Sequence, residues 1–167
     1  MIAPIPLPLT AGEFAPFGEV LSFNETRARL VNNGHALRSD LPARLAFSAG
    51  EPRLALYRFA AQPWPVTIPE MECHPNSLQT FLPVTAKRFL VVVAPVGSDG
   101  LPDAMRCQAF VGQRHQAFIY RPGVWHALIV ALDECGDFLT LIWEQGAAAD
   151  CRVERLPRPV LINPGFD

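Results

Sequence analysis

Between Arg53 and Trp143 the chain is a series of short runs rich in β-branched and aromatic residues, separated by clusters of Gly, Pro or Asp. The runs are Arg53 to Phe59, Gln79 to Val84, Arg88 to Ala94, Arg106 to Val111, Ala117 to Tyr120, Trp125 to Val130 and Phe138 to Trp143. Runs this short, broken this often, suit strands rather than helices. Many short strands with little helix predict a mainly β protein, a sandwich or barrel with one or two short helices. The run RFLVVVAP is almost wholly apolar, as expected of a strand buried on both faces. It is separated from Gln79 to Val84 by Thr85-Ala86-Lys87, a spacing that reads as a hairpin.

The flanks fit the same plan. Residues 1 to 9 alternate prolines with apolar residues and predict an extended arm along an edge of the body. Thr10 with Glu13 three residues on is a capping-box pattern, predicting a helix that runs through Phe17 and stops at Gly18. Val31-Asn32-Asn33-Gly34-His35 carries an Asn-Gly turn signal. Glu154 onward reads as a last strand and tail. At 167 residues, half of them hydrophobic, the chain is expected to form a single domain over 1–167.

The net charge of −2 comes without a Lys/Arg cluster, so nucleic acid and anionic membranes are not expected partners. No apolar run approaches the roughly 20 residues of a membrane helix. The proline-broken N-terminus lacks the basic start of a signal peptide, so a soluble, cytoplasmic protein is expected. Cys73, Cys107, Cys135 and Cys151 form no C-x-x-C pair and are expected as reduced, mostly buried thiols.

The chemistry-bearing residues concentrate in Thr67 to Leu82, TIPEMECHPNSLQTFL, and in Tyr120 to His126, YRPGVWH. Pro69 and Pro75 bracket Glu70, Glu72 and His74 and favour an extended backbone. Alternate positions of a strand share a face, so these three side chains are expected together, with Met71 and Cys73 on the other side. Lone histidines in loops are most often surface residues, the reading taken for His35 and His115.

The spacing Glu72-x-His74-x4-Gln79, with Pro122-Gly123-x-x-His126 further on, resembles the two metal-site motifs of the cupin superfamily, His-x-His-x4-Glu and Pro-x-Gly-x-x-His. Glu72 stands at the first His position and Gln79 at the Glu position. The set Glu72, His74, Gln79 and His126 suits a divalent metal, though Gln is a weaker ligand than carboxylate, and the residues leave metal binding open. No organic cofactor is expected.

Across Ile5 to Leu161 the chain resembles the ureidoglycolate lyase family, which folds as a cupin-like β-barrel or jelly roll. The resemblance rests on FAPFGEV at Phe14 to Val20, VNNG at Val31 to Gly34, PVTIPEMECHP at Pro65 to Pro75, QTFLPV at Gln79 to Val84, RFLVVVAP at Arg88 to Pro95, GVWHA at Gly123 to Ala127 and DFLTL at Asp137 to Leu141. It implies a homodimeric enzyme that cleaves ureidoglycolate, an intermediate of allantoin and purine breakdown, to glyoxylate and urea. It further implies base, acid or metal roles for Glu72, His74 and His126 and a hydrogen-bonding or ligand role for Gln79. Asn32, Asn33, Arg58, Lys87 and Tyr120 are the further candidates for holding the substrate. Two departures stand out. Where the family commonly reads Tyr-His-Arg-Gly-x-Trp-His-His, this chain has Tyr120-Arg121-Pro122-Gly123-Val124-Trp125-His126-Ala127; where the DFL strand commonly ends in Asp-Arg, it has Ile142-Trp143. The changed pair removes an arginine suited to clamping a carboxylate. The alternative is a divergent relative that acts on, or merely binds, another small ureido or hydroxy acid.

Overall fold

A computed structural model describes residues 4–41, 50–146 and 148–165. Its strands are β1 (Leu7–Pro8), β2 (Gly18–Leu21), β3 (Arg29–Val31), β4 (Ala36–Arg38), β5 (Glu51–Phe59), β6 (Val66–Cys73), β7 (Gln79–Pro83), β8 (Arg88–Ala94), β9 (Gln108–Gln113), β10 (Ala117–Tyr120), β11 (Trp125–His126), β12 (Val130–Ala131), β13 (Gly136–Glu144) and β14 (Arg152–Ile162). One short helix, α1 (Ala11–Phe14), lies between β1 and β2. A seven-stranded sheet runs β1-β9-β8-β11-β6-β14, with β12 also on β8, and a five-stranded sheet runs β2-β10-β7-β13-β5. β3 and β4 form a separate ribbon. The expectation of a mainly β, cupin-like jelly roll therefore holds.

β8 explains why the two sheets stack. Phe89 to Ala94 are all buried, and their alternate side chains feed two different cores. Phe89, Val91 and Val93 face Phe81, Phe118, Tyr120 and Phe138 of the second sheet. Leu90, Val92 and Ala94 join Val66, Ile68, Met71, Trp125 and Val160 on the opposite face. The first core is largely aromatic, and edge-to-face contacts such as Phe89 on Phe138, at 5.1 Å and 89°, interlock it. Each buried Phe contributes about 1.5–3 kcal/mol by leaving water.

The termini follow the sequence reading. β1 pairs in parallel with β9 at the sheet edge, Leu7 opposite Phe110, which is the expected extended arm; residues 1–3 of that arm lie outside the described residues. Thr10 caps α1, its hydroxyl accepting from the Glu13 N–H at 3.3 Å. The helix ends at Phe14 rather than Phe17, because Pro16 lacks the N–H that another helical turn would need. Asn32, Asn33 and Gly34 all take positive φ (52°, 56° and 86°) and turn the β3–β4 ribbon as expected.

Three other expectations are corrected. β7 and β8 do not pair: Thr85-Ala86-Lys87 carries the chain from one sheet to the other, so the apparent hairpin is a crossover between layers. Sequence periodicity reports which faces are buried, not which strand is the neighbour. The run Trp125 to Val130 is two short strands: on β8, His126 faces Val93 but Val130 faces Leu90, so one extra residue bulges out between them. Finally, the four cysteines are free, but Cys73 alone among them is buried, and Cys135 is exposed.

Candidate active site

β6 is extended through the stretch bracketed by prolines and is paired on both sides, by β11 and β14. On β6, Met71 and Cys73 point into the core with Trp125, while Glu72 points to the side facing the second sheet. β11 lies antiparallel to β6 with His126 directly opposite Glu72, so the two expected pieces of the site meet as a cross-strand pair. His74 follows the end of β6. Its carbonyl accepts the N–H of Gly123 at 2.9 Å, and Gly123 has φ +78°, a conformation that glycine takes without penalty. That bond ties the loop before His126 to the end of the site strand.

Glu72, His74 and His126 form one cluster, with one ligand atom from each lying within 4.8 Å of the others. Glu72 Oε1 is 3.3 Å from His126 Nε2 and 3.8 Å from His74 Nε2. The far ring nitrogens are held by backbone: His126 Nδ1 is 2.9 Å from the carbonyl of Val124, and His74 Nδ1 is 2.9 Å from that of Asp150. A carbonyl can only accept, so each Nδ1 carries a proton and each ring turns its Nε2 toward Glu72, as an acceptor when the ring is neutral and as an N–H donor when it is protonated. Tyr120 stacks on His126 with centroids 4.1 Å apart and fixes the ring plane.

Burial raises the Glu72 pKa, but donation from His126 and His74 in their protonated form, and their positive charge, outweigh it and hold the carboxyl well below the usual range. Glu72 therefore stays ionised. Burial first and Glu72 second push the Tyr120 phenol well above its ordinary value, so it remains a hydrogen-bond donor. The same two causes push the Cys151 thiol up to about 11. That thiol lies 3.7 Å from Glu72 Oε2.

Four buried polar atoms here lack a hydrogen-bond partner: His74 Nε2, His126 Nε2, Gln79 Oε1 and the Tyr120 hydroxyl. Such atoms are costly to keep unless something binds them. Glu72, Gln79 and His126 line one cavity of about 90 Å³ with Tyr57, Phe59, Phe81, Ala127, Leu128 and Ile129. No Lys or Arg is among these lining residues. A roomier hollow of about 500 Å³, beside Pro16, Val96, Arg106 and Arg121, contains none of the cluster. The unpartnered atoms beside the smaller cavity make it the candidate site.

The donor set fits a divalent cation. Tetrahedral ligand atoms bound at about 2.0–2.2 Å lie about 3.3–3.6 Å apart, close to the 3.3 and 3.8 Å from Glu72 Oε1 to the two Nε2 atoms. Two imidazoles and one carboxylate, with both imidazoles oriented by backbone carbonyls, are a common arrangement for such ions.

The other expected site residues divide clearly. Gln79 and Tyr120 come to the cluster. Arg58 instead lies on the outer side of β5, opposite to Tyr57 and Phe59, in a bidentate pair with Asp137 at 2.7 and 3.0 Å. Lys87 is exposed and pairs with Glu134 at 2.9 Å. Asn32 and Asn33 sit exposed on the β3–β4 ribbon and do not line the cavity. Ile142 is buried, faces Gln79 across β7 and β13, and is on the same side of its strand as the core residue Phe138. His35 and His115 are exposed. Sequence reasoning missed Cys151, Tyr57 and the carbonyl of Asp150. Cys151 lies just ahead of the register pair Arg152 with Cys73, which no local pattern reveals.

The sequence profile described as ureidoglycolate lyase matches residues 2–163. The chain belongs to the ureidoglycolate lyase family. A ureidoglycolate lyase of Azotobacter vinelandii is 37% identical over 146 residues, 86% of either chain. A putative ureidoglycolate lyase of Agrobacterium fabrum is 35% identical over 156 residues, 93% of this chain and 92% of its own. Among solved structures, a dTDP-4-dehydrorhamnose 3,5-epimerase from Elizabethkingia anophelis aligns with 81% of this chain and 75% of its own at a TM-score of 0.51 and 8% identity, a likeness of fold alone. Among the described residues, no helix is long and apolar enough to cross a membrane.

Proposed function

We propose that this protein is a ureidoglycolate lyase that cleaves ureidoglycolate to glyoxylate and urea, and that Glu72, His74 and His126 carry the chemistry. The observation that supports this most directly is the pair of buried, unpartnered Nε2 atoms converging on an ionised carboxylate beside a cavity sized for a small ligand.

The reaction is an elimination from a carbinolamide. The hydroxyl proton leaves, its O–H electron pair becomes the C=O of glyoxylate, the C–N pair stays on nitrogen, and that nitrogen takes a proton to become urea. His126 Nε2 lines the cavity with a free lone pair and receives the proton; Glu72, 3.3 Å away, stabilises the imidazolium that forms. The imidazolium, or His74 in its protonated form, returns a proton to the urea nitrogen. Gln79 Oε1 accepts from the ureido N–H, and the Tyr120 hydroxyl donates to a substrate oxygen. The phenyl rings of Phe59 and Phe81 keep bulk water from the carbinolamide.

Glu72, His74 and His126, with Gln79 as a further oxygen, would hold a divalent metal. Such an ion would supply Lewis-acid polarisation of the hydroxyl and carboxylate oxygens. An Nε2 atom cannot serve as ligand and base at once, so a chelator series decides which role His126 plays. We further propose, as the family resemblance implies, a cytoplasmic homodimer acting in allantoin and purine breakdown.

The lining of the cavity favours a second reading. It lacks a cation, and the buried Ile142 stands where the family commonly has Asp, so a ligand with less charge at that end would fit as well. Product analysis separates the readings. Purified protein given racemic ureidoglycolate is expected to release urea and glyoxylate in equal amounts without ammonia. Ammonia instead of urea would reject the lyase reading in favour of hydrolysis of the ureido group, and no product above the spontaneous rate would reject it in favour of another ureido or hydroxy acid.

A further inference from the structure

The torsion that turns a glutamate carboxylate about its last bond has no strong staggered preference, so the plane of Glu72 must be set by its contacts. Its Oε1 faces the two imidazoles. Its Oε2 is contacted by the Cys151 thiol at 3.7 Å. The Glu72 side chain is 22% exposed, enough to swing toward the cavity mouth if nothing holds Oε2.

Cys151 and its neighbour act on the same cluster. The carbonyl of Asp150 holds His74 Nδ1 at 2.9 Å, and the next residue reaches Glu72. This dipeptide enters β14, whose register places Arg152 opposite Cys73 and Val153 opposite Glu72. Two of the three cluster residues are thus buttressed by consecutive residues just ahead of β14, from the side away from His126.

We propose that Cys151 is a positioning residue: its S–H donates to Glu72 Oε2 and holds Oε1 against His126 and His74. The thiol touches no reacting atom and forms no covalent bond in the reaction. A sulfur donor makes this contact at long range, and a serine hydroxyl would make the same bond after a small approach that leaves Oε1 against the two histidines. Partners of this kind behind metal- or proton-handling groups typically change affinity or activity by 10–100-fold. A weak S–H donor belongs at the lower end, about tenfold.

The inference rests on the lyase reading for its kinetic consequence but not for its structural one, so it is tested in two ways. Crystal structures of the wild type, Cys151→Ala and Cys151→Ser are compared at the Glu72 carboxylate. The expected result is that Glu72 rotates away from His126 in Cys151→Ala and keeps its orientation in the wild type and in Cys151→Ser, which retains a donor. An unchanged Glu72 in Cys151→Ala overturns the proposal, whether or not the protein turns over ureidoglycolate. In the rate of urea release, Cys151→Ala is expected to lose about tenfold in kcat with little change in KM, and Cys151→Ser to recover most of it. Equal losses in both variants, or a fall in melting temperature that accounts for the loss, would make Cys151 merely structural. A wild type that releases no urea would reject the lyase reading and leave the crystallographic comparison to decide on Cys151.

Discussion

Replacing His126 by Ala separates the chemical role of the ring from its packing, because the structure sets both magnitudes. The imidazole is 2% exposed, stacks on Tyr120 at 4.1 Å, and donates from Nδ1 to the Val124 carbonyl at 2.9 Å. Losing an aromatic stack costs about 0.5–1.5 kcal/mol. Losing one hydrogen bond costs a similar amount, about 0.5–1.5 kcal/mol. The unpartnered Nε2 is a compensating gain, since removing it leaves one fewer buried polar atom unsatisfied. With the cavity left by a buried ring, the net cost to folding is about 3–5 kcal/mol, at about 2–4 °C of melting temperature per kcal/mol for a chain this size. The effect on turnover is separate. A general acid–base group supplies about 10²–10⁴-fold, which at about 1.36 kcal/mol per decade is about 2.7–5.4 kcal/mol of barrier. The assay is the initial rate of urea release at a temperature well below the melting point of the variant, with the melting curve recorded on the same sample. A folded His126→Ala protein within tenfold of the wild-type rate would refute the role given to this ring.

Three further expectations follow from the geometry. Because its histidine partners depress the Glu72 pKa below its ordinary value of 4.5, the ionised carboxylate stabilises the fold above about pH 4.5, and this contribution fades as the pH falls toward the lowered folded value. In metal-free protein, the stability gap between wild type and Glu72→Gln should therefore narrow as denaturation midpoints are measured from pH 6 down to pH 3; a gap constant with pH would contradict the pairing. Gly18→Ala should destabilise by about 3 kcal/mol or more, because a Cβ there would strike the carbonyl of Ile119 on the paired strand β10, and a loss under 1 kcal/mol would mean that β2 and β10 are spaced differently. Calorimetric titration of chelator-treated protein with Co²⁺ should show one site per chain that is lost in His74→Ala; unchanged binding in that variant would remove the cluster as the metal site.

The sequence was most legible where one strand's own pattern decided the outcome. The alternation in Thr67 to Leu82 placed Glu72 and Cys73 on opposite faces, and the unbroken apolar run Phe89 to Ala94 identified a strand buried on both sides, because each depends on local geometry alone. Pairing was not legible. Thr85-Ala86-Lys87 has the length of a hairpin loop, yet the flanking strands belong to different sheets, a choice made by the packing of Phe81 and Phe89 against Phe118. Charge misled in the same way. Arg58 and Lys87 suit a substrate carboxylate by type, but strand parity and loop position turn them outward to Asp137 and Glu134. Cys151 was invisible for the converse reason: its relevance comes from the register of β14 on β6, some eighty residues away in the chain.

The central claim, that the small cavity at Glu72, His74 and His126 is the active site, is tested most directly by a crystal structure of the protein soaked with the product glyoxylate. The account predicts glyoxylate in that cavity, with an oxygen within hydrogen-bonding or ligand distance of the cluster and the Gln79 amide. Glyoxylate bound instead in the larger hollow beside Arg106 and Arg121, with the cluster untouched, would contradict it.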